Sequence, residues 1–166
     1  AYVAKKMRNV LKDSSLVKEE KLIEKLTQAR NAHEAKFHSK LQEGDFVSAI
    51  VSAKNWAMEE PFSSRPFTEL AYVNAVLDDY AAAKDNIMQV YKIDGELSLS
   101  LELNLIFCDI CMKDHDPKFF DSLIRRLTEI IKSGAIDAYH ACANAGLVLF
   151  RAGEIEIAHK YYKESI

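Results

Sequence analysis

A short pattern of residues returns along this chain after 34 positions: Asp45, Phe46, Ala49 and Pro61 are answered by Asp79, Tyr80, Ala83 and Gly95. A period of that length marks one small supersecondary unit used repeatedly, and such a unit cannot bury its apolar face alone, so neighbouring copies must stack and share it. Each matched position has a physical task. The acidic residue opens the second helix of a pair, where negative charge favours the helix N-terminus. The aromatic residue packs across the preceding turn. Alanine lets two helix axes approach to about 8–10 Å, and Pro or Gly ends the pair. A further copy, AGLVLFRAGEIEIAHKYY, carries Gly146 and Ala158 at the two close-contact positions. Gly153 takes its turn, Ile155 its aromatic slot and Tyr162 the bulky slot one helical turn on. The copy between, roughly 98–134, is longer and degenerate.

Between these marks apolar residues recur at helical spacing. Phe119, Phe120, Leu123, Ile124, Leu127, Ile130 and Ile131 form one stripe, with Lys118, Asp121, Arg125, Arg126 and Glu129 largely off it. Tyr80, Ala83, Ile87, Val90 and Tyr91 form another. The run LSLSLEL has the two-residue alternation of a strand, but Leu105, Ile106, Phe107 and Ile110 continue it as a helix. Gly44, Gly95, Gly134 and Gly153 fall where helices must end, and Pro66 and Pro117 where helices begin, with Asp116 as an N-cap. The expectation is an all-α chain of antiparallel helix pairs, with helices near 2–12, 16–43, 46–59, 67–77, 80–93, 97–113, 117–133, 136–151 and 154–165.

In the segments GDFVSAIVSAKNWAMEEP, DDYAAAKDNIMQVYKIDG and AGLVLFRAGEIEIAHKYY the sequence resembles a tetratricopeptide-repeat array, matching its small, aromatic and helix-ending positions over roughly 30–166. The pattern departs in the first copy, where Phe37 stands in the usual small slot, and in the third, whose phase stays open. The resemblance implies a right-handed α-solenoid, with copies near 30–63, 64–97, 98–134 and 135–166 following an N-terminal helix or linker over 1–14. It further implies a concave face, lined by the first helix of each pair, that holds an extended or helical segment of a partner. Carried over by position, that face comprises Glu34 and His38 in the first copy and Arg65, Thr68, Glu69 and Tyr72 in the second. The third supplies Glu102, Ile106 and Asp109; the fourth supplies His140, Ala143, Asn144 and Leu147. Some members of the family grip a C-terminal carboxylate with basic residues and asparagines. Only Asn144 is of the right kind at a matching position, so the expected partner is apolar with some positive charge.

Residues 1–12, AYVAKKMRNVLK, resemble the last helix of a bacterial receiver domain, which suggests the repeat region of a response-regulator-like signalling protein. The chain starts without Met, as a fragment or trimmed product would. The segment from Ser15 to Gln42 reads either as a solvated helix packing Leu16, Leu22, Ile23, Leu26 and Ala29 onto the first repeat, or as a connector or coiled-coil helix.

Composition narrows the function classes. A net charge of −3 with no basic cluster argues against nucleic acid. An RNA-binding helical repeat, the rival reading, calls for lysines and arginines along a concave face that here carries acidic and neutral groups. No apolar run is long enough to span a bilayer, no secretory signal is present, and three cysteines suit a reducing compartment; the expected location is cytoplasmic. Cys108, Cys111 and His115 share one helical face, with His140 and Cys142 as further metal-ligand types. A CxxC inside a regular helix more simply supplies small buried apolar residues, so no metal and no cofactor are expected. His33, His38, His140 and His159 lie at no triad spacing and no phosphate loop occurs, so no catalytic residue is assigned. Trp56 reads as core or, less simply, as a partner contact. An apolar outer face on the last helix, around Tyr161 and Ile166, leads to the expectation of either more chain in the parent protein or self-association through this C-terminal end.

Overall fold

A computed structural model describes residues 31–113 and 116–165. Eight α-helices and no strand occur among the described residues: α1 Ala32–Glu43, α2 Phe46–Glu59, α3 Arg65–Val76, α4 Tyr80–Asp94, α5 Leu99–Met112, α6 Pro117–Lys132, α7 Ala138–Arg151 and α8 Ile155–Glu164. The chain is all-α, as expected. The helix expected near 2–12, and the part of the 16–43 helix before Asn31, lie outside the described residues.

Local chemistry sets the helix ends. Asp45, Asp79 and Asp116 occupy the same place before α2, α4 and α6, and each carboxylate accepts from backbone amides of the first turn: Ser48, Ala82, and both Lys118 and Phe119. These amides have no partner within the helix, so the repeated acidic residue is a hydrogen-bonding cap as well as a favourable charge. Hydrogen bonding by Ser48 holds the Asp45 carboxyl below the ordinary aspartate range. Asn31 and Ser98 cap α1 and α5 in the same way. Before α2 and α8 the turn residue is Gly44 or Gly153, at φ 77° and 86°; before α4 it is Asp78, at φ 60°. A left-handed backbone that glycine adopts without strain is therefore imposed on a residue with a side chain.

The described chain forms two compact units, one ending at Val73 and one beginning at Asn74. In the first, Phe37 of α1, Ala49 and Ala53 of α2, and Leu70 and Val73 of α3 make the core, with Leu41, Phe46, Ile50 and Phe67 against it. Phe37, standing in the usual small slot, is fully buried and fills the space between three helices.

In the second unit Leu103, Ile106 and Ile110 of α5, Phe120, Leu127 and Ile130 of α6, and Ala141, Ala145 and Val148 of α7 form one core. The α7–α8 pair closes at Gly146: a Cβ there would lie 3.1 Å from the Tyr162 ring and 3.2 Å from the Ala158 carbonyl oxygen. Ala158 itself is buried. Two hydrogen bonds fix α7 relative to α5. Asn144 Nδ2 donates to the Leu103 carbonyl at 2.9 Å, and Arg151 Nη1 donates to the Ile110 carbonyl, each across 41 residues. Equal offsets seven residues apart require the two helices to run parallel. Arg151 Nη2 also donates to the Lys113 carbonyl at 2.8 Å, so this cation caps the C-terminal end of α5, where carbonyls are unpaired and the helix dipole is negative.

Candidate functional site

Five of the residues assigned by repeat register to a partner-facing surface, Glu34, His38, Arg65, Thr68 and Glu69, line one recess of about 300 Å³ in the first unit, together with Trp56 and Ser64. They come from α1, the C-terminal half of α2 and the start of α3. Helix periodicity explains the grouping: positions i, i+3 and i+4 of α3 (Arg65, Thr68, Glu69) share one face, as do i and i+4 of α1 (Glu34, His38).

Glu34 is only 2% exposed and is neutralised by Arg65, whose Nη2 donates to Glu34 Oε1. The same guanidinium lies over the Trp56 ring, 5.0 Å from its centroid, within cation–π range. Thr68 Oγ1 donates to the Ser64 carbonyl at 3.1 Å. The indole Nε1–H of Trp56 and the Nη1 group of Arg65 are buried with no acceptor among the described residues. Leaving a buried donor unmatched costs about 1–3 kcal/mol, and both donors belong to residues that line the recess.

Tyr72 is exposed on α3 and is not part of the recess wall. In the second unit the assigned residues are not gathered in this way. Glu102 accepts from Arg126 Nε and Nη2 at 2.7 and 2.9 Å, a two-pronged bond that raises the arginine's already high proton affinity. Asp109 accepts from Lys84 Nζ at 2.6 Å. Ile106 is a core residue and Leu147 packs against the same core. Asn144 is buried with its amide committed to α5, Ala143 is half-buried, and His140 is exposed with its ring 3.9 Å from that of Tyr139.

Cys108 and Cys142 are buried and Cys111 is half-buried. Burial pushes the Cys108 thiol up to about 11 and raises the other two, so all three hold their protons at neutral pH. Among the described residues no three His, Cys, Asp or Glu side chains are grouped to hold a metal ion, and His115 lies outside them. No described helix is long and apolar enough to cross a membrane.

Sequence reasoning missed two features. Trp56 is core by burial, at 1% exposed, yet it also borders the recess, and nothing local to it marks the pairing with Arg65. Arg151 carried no signal either, since its partners are backbone carbonyls of a distant helix. The chain matches no protein-family model and no curated protein.

Proposed function

We propose that this chain is a protein-interaction module of the tetratricopeptide kind, a right-handed α-solenoid that holds a segment of another protein and carries out no reaction of its own. The observation that carries this reading is the recess. Five of the thirteen residues selected by repeat register, Glu34, His38, Arg65, Thr68 and Glu69, line one polar recess of the first unit. Support for the stacking comes from the parallel run of α5 and α7, both first helices of their pairs, and from the tight contact at Gly146. Thiols that hold their protons at neutral pH speak against cysteine nucleophiles. The partner segment proposed is apolar with some positive charge, in keeping with the acidic residues among the assigned positions, of which Glu34, Glu102 and Asp109 also pair with Arg65, Arg126 and Lys84. This balance disfavours RNA.

The proposed setting is a larger cytoplasmic protein of signalling or scaffolding type. The test is retention of the 166-residue chain on a peptide array holding apolar–basic, neutral and acidic C-terminal sequences, at low and high salt. The expected result is preference for apolar–basic peptides, weakening as salt rises. Preference for acidic C-terminal peptides, or retention by none, overturns the reading.

A further inference from the structure

Along α7, Ala141, Ala145 and Val148 face the core of the second unit, while Tyr139, Ala143, Gly146 and Phe150 recur at i, i+4, i+7 and i+11 on another face. Along α8, Ile155, His159 and Tyr162 recur at i, i+4 and i+7 beside the buried Ala158. The Gly146 contact joins the two lines, because a Cβ there would lie 3.1 Å from the Tyr162 ring. Ile155 lies three positions before Ala158 and Phe150 four after Gly146, so in this antiparallel pair they share one level at the turn end.

Tyr139, Phe150 and Ile155 are 48%, 54% and 53% exposed, so three large side chains offer apolar surface around a trough whose middle the small Ala143 and Gly146 leave open. Neighbouring exposed apolar groups of this kind mark interaction surfaces. In a stacked array the next helix lies in such a trough. We propose that a second copy of this chain fills it, with α8 of one copy laid antiparallel on α8 of the other across a two-fold axis near His159.

The charges of α8 select this occupant. Glu156 and Lys163 are exposed, and each follows a residue of the apolar line by one position, so both stand on the same flank of that line. A two-fold axis crossing α8 midway between them turns this flank onto itself. Glu156 then meets the partner's Lys163, and by symmetry Lys163 meets the partner's Glu156. A parallel pair would instead set Glu156 against the partner's Glu156. A two-fold contact needs a surface complementary to itself, and an acid in the first turn of α8 with a base in the last supplies one. Because the same patch is used on both sides, assembly closes at two copies.

An interface built on one helix pair falls below about 1,200 Å² in total, where association is weak. The test is therefore sedimentation of the 166-residue chain over a series from about 1 μM to about 1 mM. We expect monomer at the low end, dimer at the high end and nothing larger. Glu156→Lys and Lys163→Glu each set like charges opposite one another twice, and each should weaken the dimer at least about fivefold. The double variant Glu156→Lys/Lys163→Glu restores both pairs and should recover wild-type association, a result that damage to the helix does not give. Ile155→Glu puts a carboxylate into the trough at a helix N-terminus, where it favours α8 itself, and should abolish association with the helical circular dichroism unchanged. A monomer at every concentration overturns the proposal and leaves the trough to a helix of another protein. A dimer that folded Ile155→Glu leaves intact overturns it too. Growth beyond two copies, or a double variant as weak as the single ones, overturns the two-fold pairing.

Discussion

In the second unit, Asn144 and Arg151 reach from α7 to carbonyl oxygens of α5. In the first, Arg65 reaches from α3 to a carboxylate on α1 and lies across an indole. Both arrangements fasten one first helix to another, yet they use their donors differently. Arg151 directs both terminal nitrogens at the exposed end of a helix, where a cation meets unpaired carbonyls. Arg65 gives an acceptor only to Nη2; its Nη1, like the Trp56 indole N–H, is buried without one among the described residues. The lesson is that an arginine can tie two helices by different chemistry in the two units: Arg151, at the end of its helix, meets backbone carbonyls, whereas Arg65, at the start of its helix, meets a carboxylate and an indole.

Substitutions break or sharpen that contrast. The largest effect is expected at the α7–α8 contact of the second unit. Gly146→Leu forces a side chain against the Ala158 carbonyl, which is backbone and cannot swing aside, and should lower stability by about 3 kcal/mol. An unchanged thermal melt would mean that the close approach is not needed. Next, Arg151→Ala removes charge-assisted bonds to Ile110 and Lys113 and the stacking over Phe120, and should cost about 2 kcal/mol in chemical denaturation.

Arg65→Lys is the matching change in the first unit. It keeps a cation beside the buried Glu34 but removes the guanidinium from the Trp56 ring, so the loss should be about 1 kcal/mol. Equal losses for Arg151→Ala and Arg65→Lys would erase the distinction between the two arginines. The smallest expected effect compares the turns. Asp78→Gly gives the turn before α4 the residue found before α2, relieving left-handed strain while losing the bond from Tyr80 Oη to Asp78. The net gain should be about 0.5 kcal/mol. A loss of stability would show that the Tyr80 bond outweighs the strain.

Much of the fold was legible in the residues because helix limits are local events. The sites of Asp45, Asp79 and Asp116 as openers of second helices, of Gly44, Gly95 and Gly153 as left-handed stops, and of Ala49, Ala83 and Ala158 as buried contacts all follow from chemistry within a few positions. Where reading and structure differ, the cause is again local. Ser98 caps α5, which so begins at Leu99, two residues after the expected start, and α7 begins at Ala138 because Ile136 lies in the exposed turn before it. The recess was only half legible. Register selected Glu34, His38, Arg65, Thr68 and Glu69, but it also selected Ile106 and Asn144, which the second unit buries for itself.

The sequence by itself determined where each helix starts, which residue caps it, and which small side chains permit close approach, since these depend on backbone sterics and amide satisfaction over one or two turns. Only the tertiary structure decided that Arg65 would share itself between Glu34 and Trp56 while Arg151 would spend itself on α5. Those partners lie tens of residues away, and two similar arginines on similar helices meet different groups once packing has set their neighbours.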